Sequence, residues 1–321
     1  MKHVGLTAGA LGLALAFAAA QPAAAEDQLK VAIGQINNWE NQAPTLGQDA
    51  GIFKKHGLVL ENVGTQGAGE TIQAVISGSA DIGAGVGAAG VMRAFSKGAP
   101  VRILAPAFTG TGDLYWYVKA DSPIKSLKDL TDSNTIAYST NGSSSNNIVV
   151  AFKSELGSKG KPTATGGPPG TLTAVMSGQI DVGWAAPPFG LKQLDEGAIR
   201  VIASGNDAAV FKGQTVRVNI TNTQTLATRK AVIDRYMKAY RETIDWMYSD
   251  DPAALKTYAD FVGISLTMAK RTRDDFFPKS SVDPDKVIGL DTIVPDAVTL
   301  KFTAAPLTKE QLTELIQIPP R

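Results

Sequence analysis

Short apolar runs alternating with helical segments predict an α/β protein. A segment that recurs 100 positions further on predicts two facing lobes of similar build. Residues 71–85, TIQAVISGSADIGAG, and residues 171–185, TLTAVMSGQIDVGWA, agree at Thr71/Thr171, Ala74/Ala174, Val75/Val175, Ser77/Ser177, Gly78/Gly178, Asp81/Asp181 and Gly83/Gly183. Each copy reads as a helix end, a glycine cap and a short apolar strand. Any two helix–glycine–strand units share this grammar, so the match is open between true duplication and a common local solution. A chain of 321 residues, 44% hydrophobic, is long enough to bury two cores.

Taken in order, Leu29 to Ile33 reads as a buried strand, and residues 41–55 as a helix that Gly57 stops. Leu58 to Val63 is the next strand, followed by a Gly-rich turn at Thr65 to Gly69 and the helix of the first repeat. Ala80 to Ala84 is a strand, 87–97 a helix and Val101 to Phe108 a strand. A second run follows, with a strand at Leu114 to Val118, a short helix at Leu127 to Leu130 and a strand at Thr135 to Ser139. The helix around Ile148 to Leu156, the loop Gly166 to Gly170, the second repeat, a helix ending at Gly197 and strands near Arg200 and Val216 complete it. From Thr228 the pattern is helical, with Asp250 and Pro252 starting one helix, Ser265 capping another, and a capping box of Thr308 and Gln311 on the last. No low-complexity linker separates the lobes, so strand-like crossings are expected near Tyr115–Lys119 and Val218–Asn222. The corresponding division is 1–25 signal segment, 26–115 first lobe, 116–220 second lobe, and 221–321 a return to the first lobe with a helical C-terminal region.

Residues 1–25 carry Lys2 and His3, an apolar run from Val4 to Ala20 and a small-residue site at Ala23-Ala24-Ala25, the pattern of a cleaved secretory signal. No other stretch approaches the roughly 18 apolar residues needed to span a bilayer. Without Lys2 the formal net charge falls from +1 to 0. A neutral chain argues against nucleic-acid or membrane-surface partners. The lack of cysteine removes disulfides, thiolate metal sites, thiol nucleophiles and the lipidated cysteine of an anchored export. The expected product is a freely diffusing, monomeric periplasmic protein.

A catalytic centre is not expected. His3 leaves with the signal, and His56 sits in KKHG, where a cation favours a helix C-terminus. No metal or hydrolase motif is present; Asp274-Asp275 and Asp283/Asp285 read as solvated faces or caps, so neither a metal nor a cofactor is implied. Gly85-Val86-Gly87-Ala88-Ala89-Gly90 fits GxGxxG after a strand, but no acidic residue follows about 20 positions on, as a dinucleotide site needs. Its glycines still open backbone N–H groups at a helix start to a small ligand. Three further junctions are of this kind: Thr65-Gln66-Gly67-Ala68-Gly69, the run Thr140 to Asn147 with Asn141, Gly142, Ser143, Ser144 and Ser145, and Gly166 to Thr171. Each alone is an ordinary cap; their distribution over both halves points to a shared cleft. Trp39, ending Gln35-Ile36-Asn37-Asn38-Trp39, and Trp184 and Phe189, around AAPPF, fall just beyond strand ends, where open α/β sheets bind ligands. Each is equally compatible with a core role. Asp81 and Asp181 lie at the opposite strand ends and read as turn and cap residues.

The segments LKVAIG, DAGIFKKHGLVLENV, IQAVISGSADIGAG and YWYVKADSPIKSLKDLTDSNTIAYST resemble substrate-binding proteins of ABC importers, in the nitrate/sulfonate/bicarbonate-binding family with its taurine, aromatic-acid and thiamine-precursor relatives. DAVTLKF and the closing helix fit more loosely, and the likeness spans residues 28–320. The resemblance implies a type II periplasmic-binding-protein fold, two α/β lobes joined by two crossings, with ligand between them and a membrane permease as partner. By position it implies ligand contact at Asn38 and Trp39, Gly67 and Ala68, Val86 and Gly87, Asn141 to Ser145, and Trp184 to Pro187. None of these matched segments carries a cation, unlike some nitrate- and bicarbonate-type relatives, so the expected ligand is a small organic sulfonate or carboxylate rather than an inorganic ion. Two alternatives are an enzyme resembling the thiamine-pyrimidine synthases, for which only His56 is at hand, and a receptor module for chemosensing.

Overall fold

A computed structural model of the chain describes residues 26–321 together with Met1 and His3; the rest of the expected signal segment, 1–25, lies outside the described residues. Ten strands form: β1 Asp27–Ile33, β2 Leu58–Gly64, β3 Ile82–Gly87, β4 Val101–Thr109, β5 Tyr115–Lys119, β6 Thr135–Tyr138, β7 Lys161–Ala164, β8 Gly183–Ala185, β9 Ile199–Ser204 and β10 Thr215–Asn222. Helices separate most of them, as the sequence alternation requires. Among the described residues no helix is long and apolar enough to cross a membrane.

The first sheet has the order β2-β1-β3-β10-β4, with β1 parallel to β2 and β3, and β10 antiparallel to both its neighbours. The second follows the same plan. β6 and β7 are parallel, and β5 is antiparallel to β8 and β9. A parallel bridge from Ile136 to Val182 joins β6 to β8, giving β7-β6-β8-β5-β9. This is the two-lobed α/β architecture the sequence predicts.

The crossings lie elsewhere than expected. Tyr115–Lys119 and Val218–Asn222 are inside sheets, as β5 and part of β10, and all their residues but Lys119 are buried, as in a central strand covered on both faces. The chain passes between sheets at 110–114 and 205–214. These two segments are laced together: Gly110 N–H donates to Gln214 O at 2.8 Å and Gly205 N–H to Leu114 O at 2.7 Å.

The expected helix 41–55 is also divided. It forms a 3-10 turn at Glu40–Gln42, a helix Ala43–Asp49 and a short helix Ile52–Lys55. Gly51 has φ +74°, a conformation that ends a helix and that only glycine adopts without cost. Elsewhere the helix starts follow their caps. Ser143 caps Ser144–Leu156, Ser265 caps Leu266–Arg271, and Thr308 with Gln311 makes the capping box of Lys309–Leu315. Asn222 rather than Thr228 opens the long helix Thr223–Met247.

The sequence repeat is a repeat in space. Asp81 Oδ2 accepts from Lys30 N–H at 2.9 Å, and Asp181 Oδ2 from Thr135 N–H at 2.7 Å. Each aspartate thus fastens the start of the repeat strand to the neighbouring parallel strand, β1 in the first sheet and β6 in the second. Thr71 Oγ1 lies 2.7 Å from Thr65 Oγ1, and Thr171 Oγ1 lies 2.6 Å from Thr165 Oγ1. Both Thr71 and Thr171 hydroxyls donate to the carbonyl of the glycine before the helix, Gly67 at 3.2 Å and Gly167 at 3.1 Å. The correspondence therefore reaches back to Thr65/Thr165 and Gly67/Gly167, with the offset unchanged. In the first lobe Asp81 also pairs with Arg229 at 3.0 Å. Asp81→Ala is expected to lower unfolding free energy by about 1–2 kcal/mol in urea denaturation, from the lost backbone acceptor and ion pair, with the cleft unaltered.

Candidate functional site

Between the sheets lies a cavity of about 20 Å3, lined by Gln35, Asn38, Asn41, Ala68, Gly85, Leu114, Ser139, Ser143, Ser144, Trp184 and Arg217. The first sheet's side supplies the loop after β1, the start of the helix Ala68–Ile76, the bend at Gly85 and Arg217 of β10. The second supplies the turn after β6, the start of the helix Ser144–Leu156 and Trp184 of β8. The volume holds about one water, so the lobes are closed on each other.

Seven of the residues singled out in the sequence line this cavity: Gln35, Asn38, Ala68, Gly85, Ser143, Ser144 and Trp184. Gly85 has φ +69°, and the side chain of Asn41 occupies the place a Cβ would take. Asn41 Nδ2 donates to Gln35 O at 3.3 Å. Ser143 Oγ accepts from Asn146 N–H at 3.1 Å as the helix cap. Four buried polar atoms of the lining have no aligned hydrogen-bond partner within the protein: Asn38 Oδ1, Asn41 Oδ1, the Trp184 indole N–H and Arg217 Nε. Buried polar groups are normally paired, so these are open to a ligand or water.

Arg217 is the charged residue of the lining, and it lies outside the matched segments. Its guanidinium sits 2.7 Å from Asp113 Oδ2, 2.9 Å from Glu40 Oε1 and 4.5 Å from the centre of the Phe108 ring. Nη1 reaches Ser144 Oγ of the second lobe at 3.5 Å. All three charged side chains are buried. Two carboxylates thus face one cation. Burial pushes the Glu40 carboxyl up to about 7; Arg217 opposes this and the like charge of Asp113 adds to it. Burial raises Asp113 as well. Neither oxygen of Glu40, nor Asp113 Oδ1, has a well-aligned hydrogen-bond donor. The available signal was an arginine alone among uncharged residues in Thr215–Asn222, TVRVNITN. Asn41, Ser139 and Leu114 gave none beyond their nearness to segments already singled out.

Residues 39–254 match the sequence profile of the NMT1/THI5-like family. The chain belongs to that family. Similar solved structures include the alkanesulfonate-binding protein SsuA from Xanthomonas axonopodis pv. citri bound to MOPS, 17% identical over 91% of this chain and 98% of that one, with a TM-score of 0.73. The periplasmic nitrate-binding protein NrtA from Synechocystis PCC 6803 is 12% identical over 90% and 86%, with a TM-score of 0.67. The desulfurization enzyme DSZB is 14% identical over 89% and 96%, with a TM-score of 0.59. No match was found among curated protein sequences. At these identities the likeness shows the fold, that of two-lobed periplasmic binding proteins. One enzyme among the three shows that the fold alone does not decide the activity.

The other residues singled out in this NMT1/THI5-like chain lie outside the cavity, each for a structural reason. Trp39 is fully buried, edge-on to Tyr258 at 4.9 Å and Tyr248 at 5.9 Å, and so anchors the loop whose neighbours line the site. Phe189 lines a separate groove of about 310 Å3 with Tyr117, Leu172, Pro188, Val262 and Ile264. Val86, Ser145 and Pro187 are buried; Ser145 Oγ accepts from Ser139 N–H at 3.0 Å and holds the turn after β6. Asn141 is exposed and accepts from Tyr138 Oη at 2.8 Å. Gln66 is exposed, its side chain against Gly166 of the opposite lobe.

Gly67, Gly87 and Gly142 lie outside the cavity, where the two lobes approach each other. A Cβ on Gly87 or Gly90 would overlap the Gly142 carbonyl oxygen, and one on Gly67 the Thr140 hydroxyl. Thr140 Oγ1 accepts from Gly69 N–H across the gap at 2.9 Å. The second and third glycines of GxGxxG, Gly87 and Gly90, thus admit the backbone of the second lobe, which the sequence could not distinguish from a ligand. His56 Nε2 lies 2.8 Å from Glu242 at the surface, and Asp285, expected as a solvated face or cap, instead pairs with the buried Arg241 and with Arg321.

Gly90→Ala is expected to leave the melting temperature nearly unchanged while holding the lobes apart, visible in solution scattering as a larger radius of gyration that ligand no longer reduces. The raised Glu40 carboxyl makes a second prediction. Between its ordinary value of 4.5 and about 7 the folded chain keeps a proton that the unfolded chain has lost. Stability is therefore expected to fall as pH rises through that range and to level off above it. Melting curves from pH 5 to 8 check this, and Glu40→Gln is expected to flatten the slope.

Proposed function

We propose that this chain is the ligand-binding component of an ABC importer. Exported to the periplasm, it captures a small organic anion, a sulfonate or carboxylate, by hinge closure and presents it to a membrane permease. The observation that carries this reading is convergence. The starts of two helices from opposite lobes, at Ala68 and Ser144, meet one cavity with the unpartnered Trp184 N–H and the Arg217 guanidinium. Helix N-termini, an indole donor and a cation all favour negative charge or acceptor oxygens.

The mechanism follows from the two crossings. Segments 110–114 and 205–214 are short and tied to each other, so the lobes are expected to swing as rigid bodies. Ligand that touches both lobes binds the closed form better, and this difference drives closure. The groove around Phe189 is separated from the cavity by one layer, the dipeptides Asn37-Asn38 and Trp184-Ala185, each with one residue in either space. Its apolar lining suits an alkyl or aryl tail once the lobes part. Binding-protein neighbours in the same fold support the reading: SsuA is an alkanesulfonate-binding protein and NrtA a nitrate-binding one.

A thermal-shift screen over alkyl- and arylsulfonates, carboxylates, sugars and amines tests it. Ligand at a hundred times its Kd is expected to add about 2.7 kcal/mol of stability. A melt shifted only by sugars or cations rejects the anion. Trp184 is fully buried, so Trp184→Ala would cost about 3–5 kcal/mol of stability. Trp184→Phe isolates the indole N–H and is expected to weaken binding about tenfold in calorimetry while the fold persists.

A further inference from the structure

Arg217 lines the cavity, yet its charge is already met by Glu40 on one side and Asp113 on the other. With one cation and two carboxylates the buried cluster has no positive charge to offer an incoming anion. The two ion pairs differ. Asp113 makes an aligned hydrogen bond to Nη2 at 2.7 Å, whereas Glu40 lies beside Nε out of line and both its oxygens lack a well-aligned donor. Glu40 is therefore the carboxylate more readily released from the guanidinium.

On the reading that the ligand is an anion, we infer that its capture is coupled to protonation of Glu40: the anion takes Arg217, and Glu40 takes a proton from solvent. The charge balance is one anion and one proton in, with Glu40 neutral and the Arg217–Asp113 pair intact. The surroundings of Glu40 favour this exchange. Besides Arg217 of β10 and Asp113 of the first crossing, the titratable groups acting on it are the phenols of Tyr240, Tyr248 and Tyr258, from the helices beneath. The Arg273 guanidinium sits 6.0 Å from the Trp39 ring beside it. No second cation contacts Glu40 among the described residues. Burial already holds its carboxyl near neutrality, and an anion at Arg217 removes the opposing charge and adds a like one.

Ethanesulfonate and benzenesulfonate are suitable probes because their charge is constant between pH 6 and 8. Titration calorimetry of the full chain at pH 8 in two buffers of different ionisation enthalpy is expected to show uptake approaching one proton per anion. The apparent Kd is expected to be flat below about pH 7 and to rise about tenfold per pH unit above it. Glu40→Gln is expected to abolish both effects and to bind as tightly at pH 8 as at pH 6. If that variant does not fold, the proton count in the wild-type chain decides alone. Sulfonate binding with no proton uptake, or with the same pH dependence in Glu40→Gln, overturns the coupling and leaves the anion reading in place. No binding of either sulfonate, or of benzoate, at any pH overturns both.

Discussion

A guanidinium enclosed by protein is tolerable only where fixed negative charge surrounds it, and the middle of this molecule is arranged around that demand. Arg217 draws together the loop after β1 through Glu40, the first crossing through Asp113 and the second lobe through Ser144. It stands two residues into β10, directly after the second crossing. One side chain thus touches the first passage of the chain between sheets and the two walls of the cleft, from a strand that begins where the second passage ends. Remove either carboxylate and the other elements that meet there lose their reason to converge.

The architecture was legible because its signals are local. Short apolar runs, capping serines and Gly-terminated helices are written in single segments, and nearly every strand appears where those marks place it. The crossings were misplaced because an all-buried central strand and a strand-like connection share one composition. Tyr115–Lys119 and Thr215–Asn222 differ from a crossing only in their hydrogen-bond partners, which lie far away in sequence.

The site was legible by neighbourhood rather than by residue. Loops after strands pointed to the part of each lobe that faces the cavity, and Gln35, Asn38, Ala68, Gly85, Ser143, Ser144 and Trp184 meet there. Direction was beyond reach. Trp39 and Asn38 are adjacent, yet one side chain turns into an aromatic cluster and the other to the cavity. Arg217 lay outside the segments carrying the family likeness, and its two carboxylates, Glu40 and Asp113, are 73 residues apart. The repeated module was the reverse case, since Thr65/Thr165 extend it beyond what identity counting reached.

The meeting faces of the lobes are built from glycine backbone at Gly87, Gly90 and Gly142. Such a surface has no rotamers to freeze when it comes together, whereas long side chains at a contact would each forfeit up to about 2 kcal/mol of conformational entropy. Shutting therefore costs little side-chain entropy at these three positions, and whatever occupies the space between has little of it to offset.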